Sequence, residues 1–269
     1  MRNTVCVLLV VHLILILSSA SHAQMQNEDS FQKITIKPIV GFEIFRRNID
    51  VFTYNSEEEK WEKDESSSLI KSYHFTVGAE LEFPQGFSIA AFIGYSFADY
   101  DPITYRRLPI SVEMEAKKTR GFLTGFEINK DLFHIGNIEV GGFGQFFYHT
   151  GSQKKWEISG LNVEGSVSGK PWWMCVSVGP TFSLLGSSSF HPFASLNYNR
   201  LWGKFKMDET ILDLEGIEEK KIQGKSVLRI SLGAVYNITE SFGVKAEAGI
   251  LPYGGGVDVG FLVRLMYSH

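Results

Sequence analysis

The chain has 269 residues, of which 44% are hydrophobic and 21% charged, and this balance excludes bulk disorder. The formal net charge of −4 implies no basic face, so nothing favours a nucleic-acid partner. Aromatic residues make up 13% of the chain, a share that suits aromatic-rich strands and interfacial belts better than a helical domain.

Residues 1–23 have the pattern of a secretory signal peptide. Arg2 supplies the positive charge, and the stretch from Thr4 to Leu17 forms an apolar core. Ser21-His22-Ala23 then offers small residues at the two positions that a signal peptidase reads. The apolar core is shorter than the ~18 residues of a spanning helix, so cleavage near Ala23 is favoured over an uncleaved anchor.

The rest of the chain alternates apolar and polar residues, as expected of strands whose two faces meet different surroundings. The clearest case runs from Tyr73 to Phe83, continues through the tight turn Pro84-Gln85-Gly86, and resumes from Phe87 to Ala98. These runs predict a long hairpin. The same pattern recurs near residues 34–47, 121–129, 138–149, 174–184, 190–199, 228–237, 242–250 and 257–268.

These segments predict ten strands and an all-β fold. Strands of ~12 residues, tilted by ~40°, cover the ~25–30 Å apolar band of a membrane. The apolar side carries the Phe, Tyr and Ile residues, whereas the polar side is rich in Gly and Ser, as suits the inside of a narrow barrel. We therefore predict a transmembrane up-and-down antiparallel β-barrel. Its first and last strands are expected to pair, because an open sheet edge in lipid would leave backbone N–H and C=O groups without hydrogen bonds.

The connections between these strands alternate in length. Short ones lie near 84–86, 131–137, 185–189 and 238–241. Long polar ones lie near 49–70, 99–117, 150–171 and 204–224. Short periplasmic turns with long outer loops are the outer-membrane arrangement. The fifth outer connection, Pro252 to Gly256, is short and rich in glycine.

This layout resembles the small outer-membrane barrel proteins, in particular the outer-membrane β-barrel domain family of Bacteroidetes-type bacteria. It is similar to OmpA- and OmpX-like barrels with two more strands, over about residues 31–269. Its sharpest piece is the last strand, which looks like the signal read by the barrel-assembly machinery. That signal is carried by Asp258, Gly260, Val263 and Leu265, although the chain departs from the pattern by stopping at Tyr267-Ser268-His269.

The inward polar face carries many charges, which allow two interpretations. One is an ion path, and the other is a plug of mutually neutralising pairs. Eight strands leave an interior that side chains just fill, so ten strands favour the plug over a narrow pore. The charged residues are Lys37, Glu43, Arg47, Glu80, Glu82, Glu127, Glu139, Arg229, Lys245, Glu247, Asp258 and Arg264.

Two catalytic hypotheses find only partial support in the sequence. Asp99-Tyr100-Asp101, at the outer end of a strand, resembles half of an omptin protease site, but no His follows an Asp by two residues. His149 lies near Ser152, as in a Ser-His pair of a lipid-modifying enzyme, yet such a pair near a loop is a common coincidence. We predict no catalytic residue.

Metal and thiol chemistry are not predicted either. His74, His149 and His191 belong to different strands, lack ligand spacing, and are expected to line the interior or a rim. Cys175 is the single cysteine of the mature chain, so no internal disulfide can form, and it is expected to be a small wall residue.

Charged outer segments complete the prediction. The run from Glu57 to Glu65 and the segment 208–225 are candidate receptor or adhesion surfaces, with Trp61, Trp156 and Ile211 as the residues to test for contacts. We expect a signal peptide at 1–23, a short periplasmic segment at 24–32 and a barrel domain at 33–269. We expect a structural or surface-interaction role, with outer-membrane lipids and the assembly machinery as partners, no cofactor, and a narrow pore as the alternative.

Overall fold

The computed structural model describes residues 34–84, 86–105, 112–157, 165–186, 189–211 and 214–268. The expected signal peptide at 1–23 and the segment 24–32 lie outside these residues, so both stay predictions. Among the described residues, no helix has the length and apolar character needed to cross a membrane.

The described chain forms twelve strand segments in one closed antiparallel sheet. They are β1 (Thr35–Asn55), β2 (Lys60–Phe83), β3 (Phe87–Tyr105), β4 (Val112–Ile135), β5 (Ile138–Gly151), β6 (Lys154–Glu157), β7 (Gly165–Leu184), β8 (Phe190–Ile211), β9 (Leu214–Gly224), β10 (Leu228–Asn237), β11 (Phe242–Tyr253) and β12 (Gly256–Tyr267). Because β6 continues β5 and β10 continues β9, the wall has the ten strands that the alternation predicts. The sheet closes where β1 pairs with β12, from Ile39 opposite Met266 to Phe45 opposite Gly260.

We take the end with the short turns as the lower, periplasmic end of the wall. The outward face of this lower part of the wall is an apolar band. Val77, Ile93 and Leu232 are 54%, 39% and 67% exposed, and many other large apolar side chains on this face are equally open. Exposed apolar surface of this extent is stable only against another apolar medium, so the band is the surface that fits lipid. The predicted orientation of the alternating faces is thus confirmed at these three residues.

The prediction of long polar loops is wrong for most of their length. The segment 49–70 is mainly the upper parts of β1 and β2, joined by the short turn at 56–59. Likewise, β3 and β4 extend to Tyr105 and from Val112, and β8 and β9 fill most of 204–224. The polar composition that suggests loops belongs to strands that continue into water.

Above the apolar band, the inward face of the wall becomes apolar and the outward face becomes polar, and β8 illustrates this change. Its inward residues change from polar to apolar along the strand: Ser195, Asn197 and Asn199 are followed by Leu201, Phe205 and Met207, and all six are buried. Its outward residues change in the opposite sense, from Leu196 and Tyr198 to Lys204 and Lys206. The upper wall is therefore apolar inside and polar outside, as in a soluble barrel.

Closure of this upper wall differs from closure of the band. The hairpin of β11 and β12 ends at the turn 254–255, and above it β1 pairs with β9, from Ile49 opposite Gly224 to Thr53 opposite Lys220. The upper wall therefore lacks β10, β11 and β12. We call this part of the barrel, formed by the upper lengths of β1–β4, β5–β6, β7, β8 and β9, the extension.

Candidate functional site

Stacked aromatic rings fill the barrel interior at the level where the extension begins. The ring centroids of Phe45 and Trp173 are 4.9 Å apart and the rings are stacked, and Phe147 meets Trp173 edge-on at 5.5 Å. His149 stacks on Trp173 at 4.6 Å. All four side chains are buried, with at most 5% exposure. This aromatic plug closes the lumen with packed side chains, and the predicted polar interior is wrong at this level.

His149 has a serine partner, but a different one from the serine that the sequence suggests. Its Nε2 lies 2.6 Å from the Oγ of Ser96 on β3, and both side chains are fully buried. Ser152 is exposed at the outer end of β5, and the pairing of His149 with Ser152, which we considered and set aside on sequence grounds, is not the one found. Gly121 on β4, which lies between β3 and β5, is opposite Ser96, and its missing side chain leaves the space in which Ser96 and His149 meet. Spacing along the chain does not reveal this contact.

The Ser96–His149 pair lacks the features of a nucleophile and its base. The Nδ1 atom of His149 has no hydrogen-bond partner among the described residues, so no carboxylate orients the imidazole ring as in a catalytic triad. The ring of His74 is also near, with its centroid 6.5 Å from that of His149. Complete burial also separates the serine from any substrate that enters from outside.

His74 and His149 both face the interior, as predicted, and His191 lies apart from them. The Nδ1 of His74 is 3.1 Å from the carboxylate of Glu43 on the neighbouring strand. His191 pairs with Val235 near the periplasmic end of the wall. Within the described ranges, no three His, Cys, Asp or Glu side chains come together as metal ligands would.

Below the plug, charged interior side chains form ion pairs. Both terminal nitrogens of Arg264 bind the carboxylate of Glu127, at 2.6 and 2.7 Å, with both residues buried. Arg229 binds Glu247 at 2.8 Å. Such mutually neutralising pairs, the first of them bidentate, satisfy charges that lie away from bulk water. The prediction of paired interior charges is confirmed at these residues.

The periplasmic end of the lumen holds open space. A cavity of about 170 Å³ is bordered by polar and charged side chains that include Asp131, Asn197 and Lys245. A wider mouth of about 450 Å³ lies beside Lys37 and Asn237. Water can therefore enter the barrel from the periplasmic side as far as the ion-paired layer.

The acidic pair of β3 faces the outside of the wall. Asp99 stands opposite Lys71 in the β2–β3 register, and Asp101 Oδ1 lies 3.7 Å from Lys71 Nζ. Between them, Tyr100 points inward and its hydroxyl accepts a hydrogen bond from Trp173 Nε1 at 3.2 Å. The two carboxylates thus accompany a lysine on the outer surface and do not line a cleft.

The extension carries three aromatic residues on its outer face, with an isoleucine and a lysine on the same face. We call these five residues the outer patch: Phe52, Tyr54, Trp61, Ile217 and Lys221. Tyr54 and Trp61 are opposite each other with ring centroids 5.4 Å apart, and Lys221 Nζ lies 4.0 Å from the Trp61 ring centroid. Tyr54 is 47% and Ile217 54% exposed. Trp61 was singled out by the sequence, whereas the side chains of Trp156 and Ile211 lie outside those described.

A buried lysine closes the inside of the extension near its tip. Lys220 Nζ lies 2.7 Å from Thr53 Oγ1, 3.0 Å from Asp64 and 3.5 Å from Glu218, and its side chain is 2% exposed. On the surface near the tip, hydrogen bonds that Lys60 donates to the carboxylates of Glu58 and Glu62 raise the pKa of Lys60. The tip is therefore an ordered, ion-paired structure.

No protein-family model and no curated protein sequence matches this chain. Among solved structures, the outer membrane protease OmpT from Escherichia coli is 11% identical with a TM-score of 0.50, covering 90% of this chain and all (100%) of OmpT. The translocator domain of the autotransporter NalP from Neisseria meningitidis is 13% identical with a TM-score of 0.45, covering 93% of this chain and 97% of that domain.

Ail, the attachment invasion locus protein of Yersinia pestis, is 13% identical with a TM-score of 0.34, covering 88% of this chain and 98% of Ail. At these identities the similarity shows the fold alone. The fold is that of bacterial outer-membrane β-barrels, which together with the exposed apolar band supports a place in that membrane. The finer resemblance to a Bacteroidetes-type, OmpA- or OmpX-like family is not confirmed.

Proposed function

We propose that this protein is a closed barrel of the bacterial outer membrane that acts through its extension, as a surface-interaction protein without catalytic activity. The observation that carries the proposal is the aromatic plug, since a lumen packed with buried rings is suited to holding a wall rigid. A rigid wall in turn supports strands that rise above the membrane and present a fixed outer surface.

The extension supports this role in a second way. Its outward face is largely polar, so the outer patch stands out as an exposed aromatic area on a part of the molecule that meets water. Aromatic residues with a neighbouring cation are typical anchors of protein contacts. Because the patch lies on paired strands, its side chains are held in place before a partner arrives, which lowers the entropic cost of binding.

Single-channel recording tests whether the lumen is closed. Refolded protein in a planar bilayer is expected to give no discrete current steps. The double substitution Phe45→Ala and Trp173→Ala, which removes two of the four plug rings, is expected to give steps. The substitution Phe75→Ala serves as a control, because this ring is 50% exposed on the lipid-facing side. Steps from the unmodified protein would contradict the proposal.

Binding measurements test the outer patch. Protein in nanodiscs is passed over immobilised extracellular-matrix proteins and glycans, and the double substitution Tyr54→Ala and Trp61→Ala is compared with Lys206→Ala elsewhere on the extension. We expect the aromatic variant to lose about tenfold or more in affinity, as for paired hot-spot residues. Failure of every probe to bind, or equal binding by both variants, would count against a surface-interaction role.

A narrow pore for ions or small solutes is the second candidate function. The water-accessible cavities at the periplasmic end and the charged layer of Glu127, Arg264, Arg229 and Glu247 favour it, since paired charges also line ion paths. Conduction would require the plug to move. The same recordings separate the two candidates, because a pore conducts without the Phe45 and Trp173 substitutions.

A further inference from the structure

Four basic side chains form a row on the outer surface of the wall. Arg200 on β8, Lys225 directly after β9, Arg46 on β1 and Lys71 on β2 belong to four strands that are adjacent in the sheet. We call this row the basic arc. The overall charge of −4 gave no sign of it, because the arc exists only once distant parts of the chain are paired.

The register places the members of the basic arc next to one another. Arg46 is directly opposite Lys71 in the β1–β2 pairing. The backbone nitrogen of Lys225 donates to the carbonyl of Asn48 at 3.0 Å, which puts Lys225 one outward position above Arg46. Arg200 follows on the other side of Lys225, one outward position below the pairing of Trp202 with Gln223.

The basic arc also lies at a defined height. Just below it on the same strands are exposed residues of the apolar band: Ile44, Tyr73, Tyr198 and Leu228, which are 37%, 45%, 51% and 39% exposed. Trp202, which is 36% exposed, lies one outward position above Arg200, so aromatic residues flank the arc on β8. Tyrosines at the edge of an apolar band mark the boundary between acyl chains and headgroups. The basic arc is therefore at the height of the lipid headgroups of the outer leaflet.

The charges of the basic arc are incompletely compensated by the protein. Lys71 has Asp101 at 3.7 Å with Asp99 opposite, and Lys225 has Asp50 at 3.7 Å. Arg46 and Arg200 form no ion pair with any residue of the described part of the chain. Like charges directly opposite each other in a sheet, as Arg46 and Lys71 are, repel and destabilise the pair unless an anion lies between them.

We propose that the basic arc binds the phosphate groups of a phosphorylated lipid in the outer leaflet. The guanidinium groups of Arg46 and Arg200 offer forked donors that match phosphate oxygens, and the two lysines add point charges. The acyl chains of the same lipid then lie along the band beneath Tyr73 and Tyr198. A lipid satisfies both surfaces at once, whereas a soluble phosphate satisfies only the upper one.

The test uses the full barrel in phosphatidylcholine nanodiscs doped with bisphosphorylated lipid A or with its dephosphorylated form. Native mass spectrometry measures how much of each lipid the protein retains. We expect preferential retention of the phosphorylated form, and a loss of roughly fivefold for each charge removed in Arg46→Gln and Arg200→Gln. Unchanged far-UV circular dichroism and heat-modified gel mobility verify that the variants are folded.

A matched control variant also loses two positive charges, but from the extension and not from the basic arc. Lys60→Gln with Lys206→Gln removes two charges from the extension, neither of which pairs with a carboxylate beside the basic arc, and is expected to leave lipid retention unchanged. Equal retention of both lipid A forms by the unmodified protein would overturn the proposal, and so would equal losses in both double variants. Inorganic phosphate that binds to detergent-solubilised protein as tightly as the lipid does would also overturn it. None of these outcomes depends on whether the outer patch has a partner.

Discussion

Asp258 binds Asn48 at the point where the barrel changes its closure. The Asp258 carboxylate accepts hydrogen bonds from the backbone nitrogen of Asn48 at 2.9 and 3.0 Å and from its side-chain amide at 2.6 Å. Ser226 donates to the same carboxylate at 3.1 Å. Here β1 stops pairing with β12 and begins to pair with β9, so this buried carboxylate satisfies donors that the interrupted ladders leave open.

Replacing this carboxylate should destabilise the seam. Asp258→Ala leaves the two Asn48 donors and the Ser226 hydroxyl without an acceptor, and we expect a loss of about 1–3 kcal/mol in the free energy of unfolding. Urea unfolding of protein refolded in detergent measures it, and Ser226→Ala, which removes one donor, should cost less.

The same experiment separates two roles of Asp258. The resemblance of the last strand to those of outer-membrane barrels implies that this residue belongs to the signal read by the assembly machinery, and that stays a prediction. Refolding in detergent proceeds without the machinery. A variant that refolds to full stability there would mean that Asp258 matters only to assembly, and our structural account would be wrong.

Charges on the lipid face should block insertion, whereas the same charge on the extension should be tolerated. Leu232 and Ile217 are 67% and 54% exposed, but only Leu232 lies in the apolar band. Arginine at the bilayer midplane of a barrel costs about 2–4 kcal/mol. We therefore expect Leu232→Arg to lower the yield of heat-modifiable, inserted protein strongly, and Ile217→Arg to leave it unchanged.

The same reasoning applies to aspartate at Val77 or Ile93, with a smaller expected loss. Vesicle insertion followed by flotation measures the inserted fraction for each variant. Normal insertion of all the band variants would mean that these side chains do not contact acyl chains.

Breaking the Glu127–Arg264 pair should cost more than removing it. Glu127→Gln removes the carboxylate that binds both terminal nitrogens of the buried Arg264, and we expect a loss of about 3–5 kcal/mol in the free energy of unfolding. The double variant Glu127→Met and Arg264→Met should recover much of that loss, because two apolar side chains replace two desolvated charges. Equilibrium unfolding of the single and double variants gives the coupling, and additive losses would exclude the proposed dependence.

Lys220 should hold the tip of the extension together. Lys220→Met leaves the carboxylates of Asp64 and Glu218 without their shared cation inside the extension, so the β1–β2 and β8–β9 hairpins should open more often. Limited proteolysis of intact vesicles should then cut these hairpins faster while the membrane band stays protected. Lys206→Met, on the outer face, is the control. Equal cleavage rates would show that the ion-paired tip does not limit opening.

The alternation of side chains was sufficient to predict the number of wall strands and the lipid face. Runs such as Tyr73 to Phe83 have one environment on each side for their whole length, so period two identifies both the strand and its faces. The same reasoning failed for 49–70 and 204–224. There many residues are charged and the strands end in water, so composition alone made them look like loops.

The site could be predicted only in part. His74, His149 and the interior charges were expected to point inward because they share the polar parity of their strands. The partner of His149 was missed, because Ser96 is close to it only through the pairing of β3, β4 and β5. Phe45, Phe147 and Trp173 carried a usable signal, since each breaks the polar parity of its own strand with a large ring.

By itself, the sequence determined that the chain forms long antiparallel strands with two unlike faces, because alternation is a local property of each strand. Only the tertiary structure decided which side is enclosed at each height, where β1 changes partner, and which distant side chains meet. Alternation records that two faces differ but not what lies beyond each face. Above the membrane, water replaces lipid outside the wall, and the same alternation then places apolar residues inside.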